Sequence, residues 1–68
     1  MKANLIKKLK AINLEELYDE FSTVLKESDI PDYFKGYIQR YFDERSNSIE
    51  GIDLLECVID FVNSLNFD

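Results

Sequence analysis

Any chemistry in this chain has to come from carboxylates and a single thiol, because the sequence contains no histidine. General acid–base work near neutral pH most often uses an imidazole. Carboxylates can replace it in pairs when burial perturbs one of them. The acids here instead fall on expected solvent faces or at helix starts. Cys57 sits in a mostly apolar run beside Glu56 with no imidazole to activate it, and a thiol in that setting acts as a small core hydrophobe. Two isolated glycines, Gly36 and Gly51, cannot form a phosphate-cradling loop. The reading at this level is a non-enzyme without catalytic residues or cofactors.

Metal chemistry fares no better. One thiolate without imidazole cannot build a tetrahedral zinc site. Acids flank the polar segment 43–56 as they would a calcium loop. In one register Arg45 takes the place of the first carboxylate; in the other Leu54 takes the place of the closing glutamate. Neither register has the glycine that the turn of such a loop requires. No metal ligands are expected.

What remains is recognition. Tyr33, Tyr37 and Tyr41 recur every four residues, and so do Phe34, Ile38 and Phe42 beside them. Glu50, Asp53, Glu56 and Asp60 follow at spacings of three, three and four, which places them on one narrow helical strip. Tyrosine is enriched at binding hot spots, and surrounding carboxylates speed capture of a basic partner. These seven residues form the candidate partner-binding set. The tyrosines equally suit a core border, where a ring buries apolar area while its hydroxyl reaches water.

Four helices would position these groups. The strongest apolar run is 49–65, whose Ile52, Leu54, Leu55, Val58, Ile59, Phe61, Val62 and Leu65 leave only the acidic strip polar. A helix apolar nearly all round is normally buried among neighbours. Within 4–11, Leu5, Ile6 and Leu9 fall at helical spacing, with Ile12 just beyond, and the lysines opposite should pair with nearby acids. Asn13 and Glu16 fit a capping box with Ile12 and Leu17 as its hydrophobic staple. The helix behind it, 14–27, presents Leu14, Leu17, Tyr18, Phe21, Val24 and Leu25 on one face.

Pro31 opens the third helix, 31–44. Its Phe/Ile row belongs to the core, and Gly36 is a tolerated irregularity on the far side. Asn47 or Ser48 should cap the last helix, and Phe67 could fold back onto the core. The expected fold is all-α, a small bundle of three to four helices forming one domain over residues 1–68.

Charge narrows the partners. Net charge is −6, yet Lys2, Lys7, Lys8 and Lys10 all precede the first acid, Glu15; the remainder carries four bases against fourteen acids. An acidic body repels nucleic acid. The candidate recognition helices carry Lys26, or Lys35 and Arg40, each outnumbered by acids. One cysteine, no leader-like run and no span of about 18 apolar residues point to a soluble cytoplasmic protein.

The expected function is a small acidic intracellular module that binds a basic protein surface and modulates its owner. Bacterial and phage inhibitors, immunity proteins and antitoxins are built on this scale and charge. The alternative is a homodimerising interaction domain with no inhibitory role, since short chains often gain stability by self-association. A third option, weaker because four apolar residues and four lysines make only a small amphipathic stretch, is membrane-surface binding through the basic first helix.

Overall fold

The structure, a computed structural model, describes residues 2–66. They form an all-α bundle: α1 (Lys2–Lys10), α2 (Leu17–Glu27), α3 (Asp32–Arg45) and α4 (Gly51–Ser64), with a short 3-10 turn, Leu14–Glu16, leading into α2. None of these helices is long and apolar enough to cross a membrane. The expected tail residue Phe67 lies outside the described residues.

The bundle is closed by its first and last helices. Lys2 at the start of α1 donates through Nζ to the carbonyl oxygens of Leu65 (2.6 Å) and Asn63 (3.2 Å). Lys10, at the other end of α1, lies beside Ile52 and Leu55 in the first half of α4. The two helices are therefore antiparallel. α2 packs between α1 and α3, and α3 packs on α4, so each helix has two neighbours.

Apolar residues at helical spacing supply the core. Leu5 and Leu9 enter it from α1, Phe21 and Leu25 from α2, and Ile38 and Phe42 from α3. Leu54, Val58 and Val62 of α4 are completely enclosed. The rings of Phe21 and Phe42 stack 4.0 Å apart, nearly parallel. No polar side chain is buried among the described residues, so this core pays no desolvation penalty for polar groups. Burying one such side chain contributes roughly 1.5–3 kcal/mol.

Several local expectations need correction. Asn13 does open the second helical segment, but its side chain accepts from the Glu15 backbone N–H at 3.0 Å. The Asn13 N–H donates to Glu20, not to Glu16. The reason is the 3-10 turn: Glu16 N–H bonds the Asn13 carbonyl at 2.9 Å, one residue tighter than an α-helix. Leu14 and Tyr18, expected on the inward face, stand in water (42 % and 52 % exposed). Tyr18 keeps an edge-on contact with Phe42 at 5.4 Å. The staple residues Ile12 and Leu17 are both buried.

Asn47 and Ser48 do not cap α4. Ser48 and Ile49 donate their N–H groups back to the Arg45 carbonyl, completing the end of α3. Glu50 holds the cap position of α4 in extended backbone, without a side-chain bond to the helix. Gly51 follows at φ +65°, the left-handed region that favours glycine. Gly36 has open space around it rather than a close backbone neighbour. On α1, no ion pair joins Lys7, Lys8 or Lys10 to an acid among the described residues; the pair seen is Lys35–Asp32 at 3.8 Å.

The two glycines should respond oppositely to alanine. Gly36→Ala fills open space inside α3 and should raise stability by about 0.4–1 kcal/mol. Gly51→Ala forces a Cβ into left-handed backbone and should lower it by about 1–2 kcal/mol. Urea unfolding at constant m-value measures both; a gain for Gly51→Ala would contradict the described turn.

Candidate protein-binding surface

The helical period decides where the aromatic rows point. Residues four apart on a helix of 3.6 residues per turn drift by about 40° per step. The Phe34, Ile38, Phe42 row drifts across the core: Phe34 is half-buried, and Ile38 and Phe42 are fully buried. The tyrosine row drifts in the same sense but runs one residue, about 100° of arc, behind it. It starts in water at Tyr33 (64 % exposed), continues at Tyr37 (53 %) and reaches the bundle only at Tyr41. The row is thus not one surface.

Tyr41 belongs to the fold. Its ring stacks on Phe61 of α4 at 4.2 Å and 7°, with the Arg45 guanidinium carbon 5.0 Å from its centroid. A cation over a ring face adds a modest attraction at an exposed site. Tyr33 and Tyr37 instead flank Phe34, with centroid distances of 4.4 and 6.5 Å. These three rings form an aromatic patch on the first half of α3, open to solvent at both tyrosines.

The carboxylates of α4 divide as well. Asp53, Glu56 and Asp60 are exposed on one strip of the helix, opposite its buried side. By helical geometry they span about 60° of arc. Glu50 precedes the helix in extended backbone and only adjoins the strip. Cys57 is half-buried and, four residues before Phe61, shares that flank of the helix rather than standing on the strip. Among the described residues no three acids or thiols converge as a metal-binding group.

Two side chains that tie one helix to the end of another escaped the sequence reading. Lys2 reaches the carbonyls at the end of α4, and Lys35 donates to the Lys26 carbonyl in the last turn of α2 at 3.0 Å. Each is a cation from one helix placed on the negative end of another, a favourable arrangement for the helix dipole. Only the antiparallel packing brings them there. No periodic signal marks them. Compared with known proteins, the chain matches no family model, no curated protein and no solved structure.

The division of the tyrosine row is measurable without knowing any partner. A double-mutant cycle on Tyr41 and Phe61 should return a coupling of about 0.5–1.5 kcal/mol. Tyr33→Ala should change stability by no more than about 0.5 kcal/mol, as for other surface sites. Equal losses at Tyr33 and Tyr41 would contradict this assignment.

Proposed function

We propose that this chain works by binding rather than catalysis, as an intracellular module that docks on a basic surface of another protein and modulates it. The observation that carries the reading is the pair Tyr33 and Tyr37, more than half exposed although the core beneath α3 is filled without them. Folding places no demand on two aromatic rings in water; a binding surface does, since tyrosine supplies large contact area at low entropic cost. The acidic strip of Asp53, Glu56 and Asp60, with Glu50 adjoining it, supplies the long-range attraction for a basic partner.

Tyr41 is a supporting residue in this scheme. By stacking on Phe61 it holds α3 against α4, and so fixes the aromatic patch relative to the strip. The carboxylates accelerate encounter, and the rings hold the complex once water is excluded. Mutating a rim charge therefore changes association and its salt dependence, whereas truncating a ring changes dissociation.

Affinity capture from the native host with tagged protein tests the proposal. Tyr37→Ala and Asp53→Lys should each reduce recovery of the partner while circular dichroism shows unchanged helicity. Full recovery by both variants would remove this surface from consideration.

A further inference from the structure

We infer that the groove between α1 and α4 receives a second copy of this chain. The groove consists of two open hollows of about 520 and 310 Å³ that share Lys10. Its floor is apolar: Ile6 and Ile59 are half-buried and Ile52 is 50 % exposed. One wall belongs to α1 and carries Lys7 and Lys10; the other belongs to α4 and carries Glu56 and Asp60. None of these four charges has a hydrogen bond or ion pair with the described residues. Lys10 lines the same hollow as both acids yet lies beyond 4.0 Å of their oxygens.

The arrangement of charge selects the occupant. An anionic membrane would satisfy the lysines and meet two carboxylates. A purely basic or purely acidic segment would leave one wall opposed by its own sign. A second copy carries both walls, and one symmetry brings opposite signs together. A two-fold axis running along the groove sets the α1 wall of each copy against the α4 wall of the other. An axis across the groove would instead set lysine against lysine. The favoured axis also runs α1 of one copy antiparallel to α4 of its mate, the same relation the two helices have within the chain. Such an isologous contact joins the apolar floors, Ile52 included, which a single copy leaves wet.

The groove shares Glu56 and Asp60 with the acidic strip, but Tyr33, Tyr37 and Asp53 do not line it, so the inference does not rest on the aromatic patch. Sedimentation equilibrium over a concentration series tests it. Wild type should show a monomer–dimer equilibrium whose dissociation constant rises with salt. The paired reversals Lys7→Glu/Lys10→Glu and Glu56→Lys/Asp60→Lys sit at exposed positions. Each should weaken self-association about a hundredfold or more, and an equimolar mixture of the two variants should restore a dimer. Ile52→Glu should also give a monomer.

A wild-type monomer at every concentration overturns the inference. So does a dimer indifferent to salt and to both reversals, or a mixture that stays monomeric. Binding of a monomeric wild type to phosphatidylserine vesicles, abolished by Lys7→Glu/Lys10→Glu, would likewise overturn it and assign the lysine wall to a membrane.

Discussion

Burial of one side of α4 is the constraint on which the rest of this structure depends. Leu54, Val58 and Val62 lose all contact with water, in a helix that packs against α1, the 3-10 turn and α3. With a single cysteine there is no internal disulfide to share the task. A domain of this length has a total stability of roughly 3–10 kcal/mol, so a few fully enclosed side chains are a large part of what keeps it folded. Lys2 adds a polar latch where the start of α1 meets the end of α4.

That constraint sorts the surface. Once α4 turns its apolar side inward, Asp53, Glu56 and Asp60 have only solvent to face. Its flanks then meet different neighbours: Phe61 stacks on α3, while Ile59 and Ile52 border α1. Charge segregated along the sequence becomes charge juxtaposed in space. The lysines of the first segment and the acids of the last lie on opposite walls of one groove because α1 and α4 pack antiparallel. Neither surface proposed above belongs to a single helix.

The architecture was legible because it rests on periodicity. Apolar residues three and four apart pick out all four helices; Pro31 marks the beginning of α3, and Asn13 that of the 3-10 turn leading into α2. The failures cluster where geometry departs from a uniform α-helix. A 3-10 turn at Leu14–Glu16 precedes α2, and the Asn13 N–H pairs with Glu20 in place of Glu16. A left-handed Gly51 replaced the side-chain cap foreseen at Asn47 or Ser48. Of the candidate site, the acidic strip was legible as a spacing. The tyrosine row was legible as a row but not as a surface, since the drift of an i, i+4 series becomes decisive only when the helix has a neighbour on one side.

By itself, then, the order of residues determined that this chain is helical, which residues are apolar enough to need shelter, and that its charges are divided between a basic start and an acidic remainder. Those properties are local: they follow from backbone geometry and side-chain type. Which of Tyr33, Tyr37 and Tyr41 stays wet, which helix borders the lysines, and which carbonyls Lys2 and Lys35 reach were decided only by the tertiary structure. Contact between distant segments depends on how whole helix faces fit one another, and no window of neighbouring residues contains that information.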